Sequence, residues 1–120
     1  MFDHIGFNVD DLGKSKAFYA AALAPLGMQV LREGEGWAVI GGPYGRLWIG
    51  QLGLAASPIH FAFRADDRAA VDAFHKAAVA AGGRDNGAPG LRPKYGPEYY
   101  AAFVYDPDGH NVEAVTFSAA

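Results

Sequence analysis

The segment that decides the fold is His4-Ile5-Gly6-Phe7-Asn8-Val9-Asp10-Asp11, because it recurs in the second half of the chain. A shift of 56 residues (60 minus 4) places it on His60-Phe61-Ala62-Phe63-Arg64-Ala65-Asp66-Asp67. Each segment has the pattern of a strand and ends in two aspartates that can cap a following helix. The same shift aligns Gly27 with Gly83 at the predicted helix ends. Matches at separate points of the unit indicate a duplicated module.

The predicted elements follow the same order in both halves of the chain. The first half is predicted to have a strand at 2–9, a helix from about 12 to 26, and strands at 28–32, 37–41 and 46–52. The second half is predicted to have a strand at 59–65, a helix from about 68 to 81, and strands at 99–105 and 111–117. The segment 84–97 has no obvious counterpart in the first half, and residues 92–100 are predicted to lie in or beside an irregular loop. The fold class is α+β, a single domain of residues 1–120. The repeat favours two tandem β-α-β-β-β modules at about 1–56 and 57–120, with three of the four strands of the second module visible in the sequence.

Composition excludes several classes of protein. The 120 residues contain no cysteine, which excludes disulfides, thiolate nucleophiles and cysteine zinc sites. The net charge is -3 and the cations are scattered, so a nucleic-acid partner is not expected. No apolar run reaches the roughly 18 residues of a membrane span, and no signal-peptide pattern opens the chain. We therefore expect a cytoplasmic protein without a membrane partner.

Three side chains form a predicted metal site. His4 and His60 occupy equivalent positions in the two modules, so a pseudo-twofold axis relates them and would let their imidazoles converge. Glu113 stands in the middle of the apolar strand 111–117, where a carboxylate is costly unless it is paired or bound to a metal. We predict one divalent metal ion held by His4, His60 and Glu113.

The first module has no carboxylate to match Glu113. Counting from the strand-entry glycines Gly45 and Gly109 gives Ile49 at the equivalent position, or Trp48 if the register slips by one residue. Three protein ligands leave coordination positions open for water or substrate, as in catalytic sites. This ligand set suits Fe, Mn, Zn, Ni or Co, and does not choose among them.

The chain resembles the vicinal oxygen chelate superfamily, which includes glyoxalase I, bleomycin and fosfomycin resistance proteins and extradiol dioxygenases. The resemblance rests on His4-Ile5-Gly6, His60-Phe61 and Asp106-Pro107-Asp108-Gly109-His110-Asn111-Val112-Glu113. It implies paired modules forming a half-open mixed β-barrel with helices outside, a homodimer, and a metal bound by His4, His60 and Glu113. Glyoxalase I has a fourth ligand where this chain has Ile49, so the three-ligand branches fit better.

Further candidate residues surround the predicted site. In the segment 92–100, cations and tyrosines either cover the cavity mouth and grip an anionic group or form a plain surface loop. Trp48 is predicted to line the cavity wall or the dimer contact, and Tyr105 either to reach the metal cavity as a catalytic group or to lie on a sheet edge. His110 is predicted either to be exposed to solvent or to support the metal ligands from behind. The substrate-binding candidates are Arg92, Lys94, Tyr95, Tyr100 and Trp48.

The predicted function is that of a small metal-dependent enzyme, a lyase, transferase or dioxygenase of the vicinal oxygen chelate type. Its metal would act as a Lewis acid on a carbonyl, epoxide or enolate oxygen of a small, anionic substrate. One alternative is a metal-free protein that sequesters a toxic or planar compound, as bleomycin resistance relatives do. The other is a structural α+β domain whose histidines only make hydrogen bonds.

Overall fold

The two halves of the chain fold into the same succession of elements, which confirms the predicted α+β fold of paired β-α-β-β-β modules. The computed structural model describes residues 2–120. The first module contains β1 (His4–Asn8), α1 (Leu12–Leu23), a short 3-10 turn (Ala24–Leu26), β2 (Gln29–Gly34), β3 (Trp37–Gly41) and β4 (Arg46–Gly50). The second contains β5 (His60–Arg64), α2 (Arg68–Ala80), β6 (Arg84–Leu91), β7 (Tyr100–Tyr105) and β8 (Asn111–Thr116).

Each module forms its own four-stranded sheet. The strand orders are β1-β4-β3-β2 and β5-β8-β7-β6. In each sheet the first strand of the module runs parallel to the last, and the other pairs are antiparallel. The two sheets stay separate, so the chain does not form a closed barrel.

Both helices begin at the second member of an aspartate pair, as predicted. The carboxylate of Asp11 accepts a hydrogen bond from the Lys14 amide at 3.1 Å. The carboxylate of Asp67 accepts one from the Ala70 amide at 2.8 Å. These caps satisfy amides that lack partners within the helix, and so fix where each helix leaves its strand. Neither helix within residues 2–120 is long and apolar enough to cross a membrane.

The helices cover one face of each sheet and leave the other face open. On β8, for example, Val112 and Ala114 belong to the buried core between sheet and helices, whereas Glu113 points to the opposite side because strand side chains alternate. We call the open side of the first sheet the first face and that of the second sheet the second face. The first face carries His4, Gly6, Trp37, Val39 and Trp48, and the second carries His60, Phe103, Asn111 and Glu113.

The segment 84–97, for which the sequence shows no counterpart in the first half, contains a strand at 84–91, so that interpretation is wrong for these residues. Arg84–Leu91 forms β6, which pairs with β7 and is the counterpart of β2. Its pairing is interrupted on both sides of Gly87. Bulges of this kind, together with a proline, are tolerated at a sheet edge, and they hide the alternation that identifies a strand.

The turn between β7 and β8 is fastened to the first helix by a buried carboxylate. Tyr19 of α1 donates its hydroxyl to Oδ2 of Asp106 at 2.5 Å, and both residues are buried. The other oxygen, Oδ1, accepts from the amides of Asp108 at 2.9 Å and His110 at 2.8 Å. This network links the two modules, because α1 belongs to the first and the turn to the second.

His110 is buried, and the prediction that it faces solvent is wrong. Its Nδ1 accepts a hydrogen bond from the Ile59 amide at 3.0 Å, and its ring meets the edge of Phe7 at a centroid distance of 4.8 Å. The residue is fully inaccessible to solvent. The turn folds back over the start of β5, and this contact cannot be seen in a turn pattern.

Candidate metal centre

His60 and Glu113 meet on the second face. In the parallel pair β5–β8, Glu113 stands opposite Ala62, two residues after His60, so both side chains project to the same side. Nε2 of His60 lies 3.1 Å from Oε1 of Glu113. The carboxylate is 2% exposed and the imidazole 51%, so the pair opens toward solvent through the histidine.

The hydrogen bonding of His60 fixes which nitrogen faces Glu113. Nδ1 of His60 lies 2.9 Å from the Asn111 carbonyl oxygen. A carbonyl oxygen only accepts, so Nδ1 carries a proton and Nε2 of the neutral ring has a free lone pair. That nitrogen lies beside a carboxylate oxygen, which is also an acceptor. Two acceptors this close repel each other unless both share a proton or a cation.

The second oxygen of Glu113 is held by Tyr99, a residue that the sequence interpretation did not select. The Tyr99 hydroxyl donates to Oε2 of Glu113. Its ring packs between those of Tyr95 and Phe117, at centroid distances of 5.3 and 5.4 Å. Burial and then the hydrogen bond to Glu113 raise the pKa of Tyr99 to about 12, so the hydroxyl is a donor at neutral pH. The alternation of β7, extended by one residue before its start, offers a signal for Tyr99, because Tyr99 then lies on the same side as Phe103, which pairs with Glu113.

His4 also has its Nε2 available, but it lies on the first face, away from His60 and Glu113. Its Nδ1 lies 2.8 Å from the carboxylate of Asp3, and the side chain is 65% exposed on the first face. Strands β1 and β5 pass each other in opposite directions: His4 and Arg64 line one cavity of about 280 Å³, and Phe7 meets Phe61 at a centroid distance of 5.8 Å. Four residues of strand, roughly 13 Å, separate that end of β5 from His60. Within the described residues of one chain, no group of three or more possible metal ligands occurs.

The position equivalent to Glu113 is Trp48, so the alignment on Ile49 is wrong by one residue. Gly6 pairs with Trp48 in the first sheet as Ala62 pairs with Glu113 in the second. Ile49 points into the core, where it is fully buried. The first module therefore has an indole at this position. Like Ile49, Trp48 supplies no carboxylate there.

Two of the other candidate residues lie on the second face. Tyr105 pairs with Asn111, and its ring lies under the guanidinium of Arg84 at 5.1 Å. Arg92 lies 5.3 Å above the Phe103 ring. It donates to the carbonyl oxygens of Ala88 and Gly90 at 2.8 and 2.9 Å. Arg92 therefore fastens the bulged edge strand, which leaves fewer of its donors for a ligand.

The remaining loop candidates lie away from Glu113. Lys94 stacks on the exposed ring of Tyr95 at 5.2 Å. Tyr100 projects from the helix side of β7, donates to Asp72 at 2.7 Å and lies under Arg68 at 4.9 Å. Its position on the core side follows from alternation, since the neighbouring Tyr99 points to Glu113.

The sequence profile of the Glyoxalase/Bleomycin resistance protein/Dioxygenase superfamily matches residues 1–114. The chain belongs to this superfamily. The paired modules, the His60–Glu113 pair and the Asp106 turn are therefore features of a superfamily member. Comparison with curated proteins finds no significant match.

Solved structures of the superfamily have the same fold. A glyoxalase/bleomycin resistance protein from Albidiferax ferrireducens T118 is 32% identical with a TM-score of 0.82, covering 96% of this chain and 97% of that one. A putative glyoxalase from Bacillus halodurans is 25% identical with a TM-score of 0.74, covering 96% and 94%. A lactoylglutathione lyase from Agrobacterium tumefaciens is 24% identical with a TM-score of 0.70, covering 96% and 92%, and this likeness concerns the fold alone.

Proposed function

We propose that the protein is a metal-dependent enzyme that binds a small molecule through oxygen. Its divalent ion would be held by His60 and Glu113 of one chain and by His4 of a second copy. The observation that carries the proposal is the pair of neighbouring acceptors, Nε2 of His60 and Oε1 of Glu113, 3.1 Å apart. A metal ion placed against both atoms would use both lone pairs and neutralise a buried carboxylate.

The second copy supplies what one chain lacks. The first face of one copy laid on the second face of the other would bring His4 to the His60–Glu113 pair. A twofold axis would then generate two identical sites. Both faces carry exposed apolar side chains, as a surface that is covered in an assembly does. These are Leu31 and Leu52 on the first face and Tyr95 and Phe117 around the second.

The donors fit a divalent transition metal. In both histidines Nδ1 is engaged, by the Asp3 carboxylate in His4 and by the Asn111 carbonyl in His60, so both present Nε2. Acceptors behind the imidazoles orient them and raise their basicity toward a metal. Two imidazoles and one carboxylate suit Fe, Mn, Zn, Ni or Co and leave positions open. The bound ion would supply Lewis acidity to a carbonyl, epoxide or enolate oxygen of the substrate.

Subunit mixing tests the shared site. We expect His4→Ala and Glu113→Ala each to lose tight metal binding, and a mixture of the two proteins, unfolded and refolded together, to regain part of it. A mixed dimer has one site with both defects and one with none. Random pairing makes half of the dimers mixed, so about one quarter of the wild-type number of sites should return. The measurement is bound metal per chain after gel filtration.

The control is a mixture of His60→Ala with Glu113→Ala. In the proposed dimer, His60 and Glu113 of each site come from the same chain, so mixing these two variants cannot rebuild a complete site. Each mixed dimer then has two singly defective sites, so no tight binding should return. Recovery in this control, or none with the His4→Ala mixture, contradicts the shared site.

Tyr99→Phe tests the positioning of the Glu113 carboxylate. Loss of the hydroxyl frees Oε2 and the carboxylate can rotate, so metal affinity should fall by about 10–100-fold, the usual effect of removing a group that orients a ligand. Isothermal titration with Zn, Ni and Mn measures it. Tyr100→Phe is the matched control, because it removes a neighbouring hydroxyl on the other side of β7 and should leave affinity unchanged. Equal affinities of the two variants would contradict the role of Tyr99.

A further inference from the structure

The first face has a floor made of two indole rings that lie on glycines. The ring of Trp48 covers Gly50 and Gly6, and a Cβ added at Gly6 would come within 3.3 Å of it. The ring of Trp37 covers Gly34, where an added Cβ would stand 2.5 Å from the indole nitrogen. Side chains on a sheet usually stand away from it, so these glycines are what let the rings lie flat. The result is an open groove of about 1140 Å³.

Two arginines border this floor without an acidic partner. The guanidinium of Arg32 lies 5.8 Å from the centre of the Trp37 ring. Arg46, beside Trp48 in the groove lining, donates to the Gly42 carbonyl oxygen at 3.1 Å. Across residues 2–120, no ion pair involves either arginine. The carboxylate in the groove lining is that of Asp3, and His4 already engages it.

We infer that the groove of the first face binds a planar aromatic or conjugated anion. The flat part of the ligand would stack on the indoles, and its carboxylate or similar oxyanion would lie against Arg32 and Arg46. A planar cation would meet two guanidinium groups, so the charge of the groove selects against it. A neutral planar molecule keeps the stacking and loses the ionic hydrogen bonds.

In the proposed dimer this groove is one wall of the cavity that contains the metal. As a statement about substrate class the inference rests on the proposed function, whereas binding to the groove itself requires no metal. The two can therefore fail separately, provided that binding is measured on metal-free protein.

Tryptophan fluorescence reads this site directly, because the chain has two tryptophans and both line the groove. The probes are 4-nitrobenzoate and its uncharged analogue 4-nitrobenzyl alcohol, titrated in EDTA with excitation at 295 nm. We expect saturable quenching by the benzoate, with a Kd about tenfold lower than that of the alcohol, as for a hydrogen bond to a charged group. Arg32→Gln should remove most of this difference and leave the alcohol unchanged.

Lys14→Gln is the matched control, because it makes the same charge change on the exposed side of α1. It should bind both probes like the wild type. Quenching that does not saturate, equal affinity for the two probes, or equal losses in Arg32→Gln and Lys14→Gln would overturn the inference. Saturable binding of 4-nitrobenzoate in EDTA, together with failed subunit mixing, would support ligand binding in the groove and reject the shared metal site. Successful subunit mixing without such binding would support the metal site and reject this substrate class.

Discussion

Replacement of Glu113 by glutamine should abolish stabilisation by metal while leaving the metal-free protein at least as stable as the wild type. Without metal, the buried carboxylate of the wild type lies beside the acceptor nitrogen of His60, and only a shared proton relieves their repulsion. A glutamine side chain can donate its NH₂ to that nitrogen and still accept from the Tyr99 hydroxyl. Removing the buried charge therefore costs no hydrogen bond.

The measurement is the melting temperature with EDTA and with a divalent ion at 100 times its Kd. Binding at that excess stabilises the wild type by about 2.7 kcal/mol, or roughly 10 °C for a domain of this size. Glu113→Gln should show almost no shift. Glu35→Gln, which changes an exposed carboxylate in the turn after β2, should shift like the wild type.

Two results would contradict this prediction in different ways. An unchanged shift in Glu113→Gln would remove Glu113 from the metal site. A large loss of stability in the metal-free variant, with no effect of metal on the wild type, would favour a structural domain in which the histidines only make hydrogen bonds.

Tyr19→Phe should lower the free energy of unfolding by about 2–3 kcal/mol, the cost of leaving a buried charged group without one of its partners. Oδ2 of Asp106 would lose its donor while the carboxylate stays buried. Urea unfolding at pH 7 measures the loss, and the m-value should not change because the fold is the same. Tyr44→Phe is the control, since Tyr44 is exposed. A loss below about 0.5 kcal/mol, the size of an ordinary surface effect, would show that the Tyr19–Asp106 bond contributes little.

The effect of Tyr19→Phe should also depend on pH. Burial, followed by the nearby Asp106 charge and its hydrogen bond, raises the pKa of Tyr19 above its ordinary value of 10.0. A raised pKa gives stability that is fully present below the unfolded value and is lost as pH rises above it. The difference between wild type and variant should therefore narrow above pH 10. A constant difference from pH 7 to 11 would contradict this assignment.

The sequence predicts most of the fold because its signals are local. The repeated strand, the aspartate caps and the isolated carboxylate of Glu113 all lie within short segments whose pattern alone determines their structure. Strand β6 escapes prediction because its alternation is broken by bulges at a sheet edge. The choice of Trp48 over Ile49 depends on one residue of register, which the lengths of two different turns decide.

Convergence of the histidines could not be predicted from the repeat. The repeat makes His4 and His60 equivalent whatever the position of the pseudo-twofold axis. The two histidines come close together only if that axis passes near the starts of both β1 and β5. Here β1 and β5 lie side by side in opposite directions, so the axis passes near the middle of both strands and the two histidines lie at opposite ends. Module packing, which is a property of the whole chain, determines this geometry.

The equivalence of Trp48 and Glu113 has a consequence for stereochemistry. Equivalent positions of the two modules hold an apolar indole in one and a carboxylate in the other. In the proposed dimer, a flat ligand between the two faces would rest on the indole and turn only its opposite side to the metal. Attack on a prochiral carbon would then come from one side, so the divergence of a single duplicated position would be enough to make the reaction enantioselective.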